Sequence, residues 1–214
     1  MTQTKICGLR EPEHVEAAVE AGADYVGVIL YPPARRYLDP VRAREIFRSV
    51  PRERVGVVGI FVNETADHIN RMAELVGLDV VQLGGDETAE LTARIERPVA
   101  RTVHVDGDTT FDDVSSRIID AKFIHLDARK DGKYGGTGST IDWEFARKAN
   151  SLGTIWLAGG LNPDNVEEAI RIARPALVDV SSGIETNGRK DSAKIRSFVT
   201  AAQRAVAGEA SITR

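Results

Sequence analysis

Short runs of apolar and β-branched residues alternate along the whole chain with stretches in which apolar positions recur every three to four residues among charges. The first pattern belongs to strands buried on both faces, the second to helices that cover a sheet with one side. Strands are predicted over residues 4–8, 24–30, 55–62, 79–83, 99–105, 123–128, 154–159 and 176–181. Helix starts are marked by Glu11-Pro12, Asp39-Pro40 and Asn162-Pro163, where an acid or amide precedes a proline that suits the first helical position. The first of these helices ends at Gly22, and further helices are predicted over 65–76, 88–94, 110–117, 142–150 and 191–205.

Strand and helix alternating in this way imply parallel strands joined by crossover helices. Eight such units close most economically into a single-domain α/β (β/α)8 TIM barrel over 1–207, followed by a polar tail over 208–214. An open, doubly wound sheet fits the same spacing.

Composition narrows the function. Hydrophobic residues make up 42% of the 214 and charged residues 28%, enough for one large core and a charged surface. A formal net charge of −4 provides no basic stripe for nucleic acid and no cationic face for a membrane, so an anionic ligand has to be held locally. The apolar runs are too short to span a bilayer, and the N-terminus enters a strand without a signal-like segment. The single cysteine, Cys7, forms no internal disulfide and fits a reducing, cytoplasmic setting.

In barrels of this kind the chemistry sits at the C-terminal ends of strands. Cys7 ends the first strand, and Asp127 stands near the end of the sixth in Phe123-Ile124-His125-Leu126-Asp127-Ala128. With these two strands on opposite sides of the barrel, a thiolate and a carboxylic acid would flank one substrate, an arrangement suited to removing a proton at one atom and delivering one to another. Leu157-Ala158-Gly159-Gly160-Leu161 and Asp179-Val180-Ser181-Ser182-Gly183 follow strands seven and eight, the usual phosphate site of the fold, where glycine lets backbone N–H groups approach an anion.

Gly135-Gly136-Thr137-Gly138 lacks the lysine of a P-loop and is predicted to be a mobile loop over the mouth, carrying Lys130, Lys133 and Tyr134. Arg35 and Arg36 sit on a turn stiffened by Pro32 and Pro33 and suit a substrate carboxylate. His14, His68, His104 and His125 show no metal-ligand spacing, and no metal is predicted.

Taken in order, Lys5-Ile6-Cys7-Gly8, Gly59-Ile60-Phe61-Val62-Asn63, Asp79-Val80-Val81-Gln82-Leu83, Leu126-Asp127, Tyr134-Gly135-Gly136-Thr137-Gly138, Ala158-Gly159-Gly160-Leu161-Asn162-Pro163 and Val178-Asp179-Val180-Ser181-Ser182-Gly183-Ile184-Glu185 resemble the phosphoribosylanthranilate isomerase family of tryptophan biosynthesis. The resemblance runs from Lys5 to about Ala202. It implies a cofactor-free Amadori rearrangement of a small phosphorylated substrate, with Asp127 as general acid and Cys7 as general base. It further implies Arg36 near the anthranilate carboxylate, Asp179 near the bridging amine, Gln82 among the binding residues, and Gly159, Gly160, Ser181, Ser182 and Gly183 in a phosphate cradle.

Monomer and homodimer are both compatible with the sequence. Gly84, Ala34 and Ala158 depart from residues common in the family. A related histidine-pathway isomerase resembles an aspartate pair at the acid and base positions, and Cys7 argues against it; Cys7 and Asp127 together argue against a non-catalytic sugar-phosphate-binding barrel. Such chemistry requires a thiolate from a group whose ordinary pKa is about 8.5, for which Lys5 is a candidate helper, and a protonated carboxyl at Asp127.

Overall fold

The computed structural model describes residues 2–118, 120–128 and 141–212, with side chains through Ala207. Its strands are β1 (Gln3–Ile6), β2 (Tyr25–Ile29), β3 (Gly56–Phe61), β4 (Val80–Leu83), β5 (Val99–Val105), β6 (Phe123–Ala128), β7 (Ile155–Leu157) and β8 (Leu177–Val180). They alternate with helices α1 (Pro12–Ala21), α2 (Pro40–Phe47), α3 (Ala66–Val76), α4 (Ala89–Thr92), α5 (Phe111–Arg117), α6 (Trp143–Ala149), α7 (Val166–Ala173) and α8 (Ser192–Ile212). All eight strands are parallel, and β1 pairs with β8 from Gln3↔Leu177 to Ile6↔Val180, so the sheet closes and the open alternative falls away. Between β8 and α8, a 3₁₀ turn (Ser182–Ile184) leads into a small antiparallel hairpin of β9 (Glu185–Thr186) and β10 (Arg189–Lys190).

Most helix ends follow their sequence signals. Asp39 accepts from the N–H groups of Val41 and Arg42 ahead of Pro40, Thr110 and Asp113 form a reciprocal capping box, and Gly22 closes α1 at φ 86°. Two ends differ from expectation. Asn162 caps a turn rather than a helix: its Oδ1 accepts from the N–H groups of Asp164 and Asn165, Asn165 Oδ1 accepts from Asn162 N–H, and α7 starts only at Val166. The last helix runs through Gly208 to Ile212, because one glycine weakens a long helix by only about 1 kcal/mol and does not stop it.

The outward strand residues meet the apolar faces of the helices in one continuous core that includes Ile6, Val26, Leu83, Leu126, Ile170 and Phe198. The inward residues stack in layers, one position from every second residue of a strand. At the N-terminal end the layer is apolar: Val58, Val80, Ala100, Trp156 and Leu177 pack with Tyr25 and Phe123. Phe123 stacks on the Trp156 indole at 4.6 Å between ring centres, and Tyr25 lies tilted at 5.4 Å. Two residues further along the strands, the layer turns polar. Among the described residues, no helix is long and apolar enough to cross a membrane.

Candidate active site

The polar layer contains Lys5, Gln82, Thr102, His125 and Asp179, all buried. Gln82, Thr102, His125 and Asp179 lie two positions beyond Val80, Ala100, Phe123 and Leu177, so the strand period of two points them inward, and Lys5 of β1 joins them through its bonds to Asp179 and Gln82. Lys5 donates from Nζ to Asp179 Oδ2 at 2.7 Å and to Gln82 Oε1 at 2.9 Å. Gln82 Nε2 donates to Thr102 Oγ1 at 3.2 Å and lies 3.4 Å from His125 Nδ1, while His125 Nε2 is 2.9 Å from Asp179 Oδ2. This pattern assigns the imidazole proton to Nε2, where it points at the carboxylate.

Burial works against the charge of Asp179, but the Lys5 ammonium and the hydrogen bond from His125 outweigh it and hold the carboxyl at about 2. Burial likewise opposes the charge of Lys5, yet Asp179 and Cys7 raise its pKa above the usual lysine value. The second oxygen of Asp179, Oδ1, is buried without a hydrogen-bond partner.

Above this floor opens a cavity of about 620 Å³. Cys7, Arg36, Gln82, Asp127, Gly159, Gly160, Asp179, Ser181 and Ser182 all line it, so the fold brings together nearly every residue singled out from the sequence. Gly183 stands behind the wall within the 3₁₀ turn, where any side chain would run into the Leu161 carbonyl oxygen. Ala34, Gly84 and Ala158, the three departures from the family pattern, also face the cavity. Lys130, Lys133, Tyr134 and Gly135-Gly136-Thr137-Gly138 lie outside the described residues.

Cys7 follows directly on β1, its N–H still paired with the Val180 carbonyl at 2.9 Å, and is 6% exposed. Asp127 is half-buried on β6, two residues above His125 and in register with His104 of β5. The strand order places β1 and β6 three positions apart around the barrel, one short of opposite, so the thiol and the carboxyl flank the cavity obliquely. Burial raises the Asp127 pKa and Asp179 adds to this, against the opposing pull of His125, His104 and Lys5. Burial also pushes the Cys7 thiol up; Asp179 reinforces this, while Lys5 and Lys190 act the other way.

The rim is cationic. Arg36, 14% exposed on its side chain, donates from Nε to Glu185 Oε1 at 2.5 Å and from Nη2 to Oε2 at 3.2 Å. Arg35, 55% exposed, reaches the same carboxylate and the Gly188 carbonyl, each at 2.7 Å. Burial acts against the charge of Glu185, but these guanidinium bonds and Lys190 hold it at about 2. Gly159 and Gly160 take φ values of 85° and 65°, which turn the chain tightly after β7; at Gly159 a side chain would collide with Ala128 at the end of β6.

Fold and cavity together define a (β/α)8-barrel enzyme with its site at the C-terminal rim. The model of the family described as N-(5'phosphoribosyl)anthranilate (PRA) isomerase matches residues 4–201, and the chain belongs to that family. The N-(5'-phosphoribosyl)anthranilate isomerase of Trichlorobacter lovleyi is 43% identical over 208 residues, which cover 96% of this chain and 100% of that protein. Among solved structures, monomers generated from the dimeric phosphoribosylanthranilate isomerase of Thermotoga maritima match with a TM-score of 0.81 at 37% identity, covering 95% of this chain and 100% of that one. A phosphoribosyl anthranilate isomerase in complex with reduced 1-(o-carboxyphenylamino)-1-deoxyribulose 5-phosphate matches with a TM-score of 0.81 at 36% identity, again covering 95% and 100%.

Sequence reasoning had no role for Glu185, Lys190, Thr102 or His125. The available signal was positional: Thr102 and His125 are polar residues at inward positions of strands β5 and β6, which also carry Arg101, His104 and Asp127.

Proposed function

We propose that the chain converts N-(5-phosphoribosyl)anthranilate to 1-(2-carboxyphenylamino)-1-deoxyribulose 5-phosphate by an acid/base Amadori rearrangement without a cofactor, in tryptophan biosynthesis. The observation that carries this reading is a thiol and a carboxyl lining one cavity over a buried ionic floor, within a family of that activity.

Asp127, whose pKa burial raises toward the protonated form, donates to the furanose ring oxygen as the C1′–O bond breaks and a Schiff base forms. Cys7, as thiolate, removes the C2′ proton, and the electron pair moves into the C1′–C2′ bond to give the enolamine. Tautomerisation protonates C1′ and leaves the C2′ oxygen as a ketone, so C2′ is oxidised and C1′ reduced within one molecule.

Around that chemistry, Arg36 takes the anthranilate carboxylate, Asp179 accepts from the bridging amine through its unpartnered Oδ1, and Gln82 borders the ring. Gly159, Gly160, Ser181, Ser182 and Gly183 form the phosphate cradle. The enzyme works in the cytoplasm as a monomer or homodimer, a setting in which a lone thiol stays reduced.

The decay of anthranilate fluorescence on adding freshly prepared phosphoribosylanthranilate tests the reading. Cys7→Ser and Asp127→Asn are each expected to lose about 10²–10⁴-fold in kcat, the usual contribution of a general acid or base. Activity untouched by both substitutions overturns the mechanism, and binding of a product analogue without any turnover overturns the activity.

A further inference from the structure

A thiol buried in a cavity wall is a poor base unless something favours its charged form. Cys7 has Lys5 two residues before it on the same inward line. Gly27 of β2 makes room for both: a Cβ there would lie 3.2 Å from Cys7 Sγ and 3.2 Å from Lys5 Cε. Lys5 is nevertheless committed, since its ammonium already faces Asp179 at 2.7 Å. One committed cation is a weak counter-charge for a second anion.

A second ammonium stands close by. Lys190 of β10 has a side chain only 5% exposed. Its Nζ donates to the Ser181 carbonyl at 2.7 Å and to Ser181 Oγ at 3.2 Å, and that hydroxyl donates in turn to the Cys7 carbonyl at 3.3 Å. Lys190 therefore reaches the cysteine's own backbone through one residue. Its nearest carboxylate, Glu185, lies at 3.4 Å and is already held at shorter range by Arg36 and Arg35. Burying an ammonium on neutral oxygens and one carboxylate already shared with two guanidinium groups is costly unless another negative charge is part of the design.

We propose that Lys190 is a positioning residue that, with Lys5, favours the thiolate form of Cys7 against the cost of its burial, the thiolate being the anion for which Lys190 is buried. The proposal rests on the reading of Cys7 as the general base. Facing the thiol are Lys5 from β1, Asp179 from β8 and Lys190 from β10; facing Lys190 are Cys7, Glu185 and Arg36. Burial lowers Lys190 to about 8 even though Cys7 and Glu185 oppose the fall, so its charge is in place at neutral pH and is lost in the mildly alkaline range.

Because Cys7 is the chain's only cysteine, alkylation by iodoacetamide, followed by mass, reads this one thiol without reference to turnover. Lys190→Gln keeps a donor for Ser181 and removes the charge; Lys190→Arg keeps the charge. The midpoint of the alkylation rate against pH is expected to rise by about one unit or more in Lys190→Gln and to stay near the wild-type value in Lys190→Arg. Equal midpoints in wild type and Lys190→Gln overturn the proposal, whatever happens to activity.

Should Lys190→Gln fail to fold, the unsubstituted protein answers through reciprocity: blocking Cys7 with iodoacetamide should lower the midpoint at which the Lys190 ammonium titrates by NMR. An unchanged midpoint overturns the proposal. Turnover surviving in Cys7→Ser would instead remove the base assignment, which separates that failure from this one.

Discussion

Two layers of the barrel interior, two residues apart along the four strands they share, have opposite characters. At the N-terminal end Trp156, Val58, Val80, Ala100 and Leu177 fill the space with hydrocarbon, and Tyr25 and Phe123 pack against the indole. Next to them Lys5, Gln82, Thr102, His125 and Asp179 fill it with charge and hydrogen bonds. Fold demands alone are met by the first kind of layer, since well-packed apolar residues serve a core at least as well as a buried ion pair. The polar layer therefore belongs to the chemistry above it: it presents a fixed carboxylate to the cavity floor with an ammonium fixed behind it, in a geometry set by strand pairing.

The largest effect should come from breaking the polar layer on one side. Asp179→Leu leaves the Lys5 ammonium buried without its partner and should cost about 3–5 kcal/mol in chemical denaturation, together with turnover. The double change Lys5→Met with Asp179→Leu should recover most of that stability and none of the activity. A double variant as unstable as the single one would mean that the polar layer supports the fold.

In the apolar layer, Trp156→Ala should cost about 3 kcal/mol by opening a cavity between Tyr25 and Phe123. Its kcat and KM should remain near wild type at a temperature where it stays folded. A large fall in kcat would show that the two layers are not separable.

The smallest of the three is a pH effect. Asp179 titrates at about 2 in the folded protein against an ordinary value of 3.8, a depressed carboxyl. Its contribution is therefore complete above the unfolded value and is lost as pH falls from about 4 through about 2, on the order of 2 kcal/mol. Denaturation of wild type and of the Lys5→Met, Asp179→Leu double variant, compared between pH 5 and pH 2, isolates this loss from that of other carboxylates. A constant difference across the range would contradict the assignment of the charge to Asp179.

Much of this was legible in the residues. The boundaries of β5 and β6 match the predicted runs at both ends, because β-branched and apolar residues recur through both strands despite polar positions inside them. The start of α7 did not match, since Asn162-Pro163 serves an Asx turn as readily as a cap. The rim residues Cys7 and Asp127 stood out by their place at strand ends. The floor was harder to read: Thr102 and His125 are not set apart from the other polar residues of β5 and β6 until closure of the barrel turns them toward Gln82 and Asp179. Glu185 and Lys190 were invisible for another reason. They sit on a hairpin of two-residue strands with no periodicity, and Glu185 meets Arg36 across 149 residues of sequence.

Gly27 turns an absence into a constraint. No positive φ accounts for glycine at this place in mid-strand, and no turn is made there. What accounts for it is the space that Cys7 Sγ and Lys5 Cε occupy against its bare Cα. In a saturation scan scored on growth without supplied tryptophan, this position should behave as a functional one, rejecting even alanine, although it has no side chain to donate, accept or carry charge, and its carbonyl only accepts from the N–H groups of Gly8 and Leu9 at the end of the first strand.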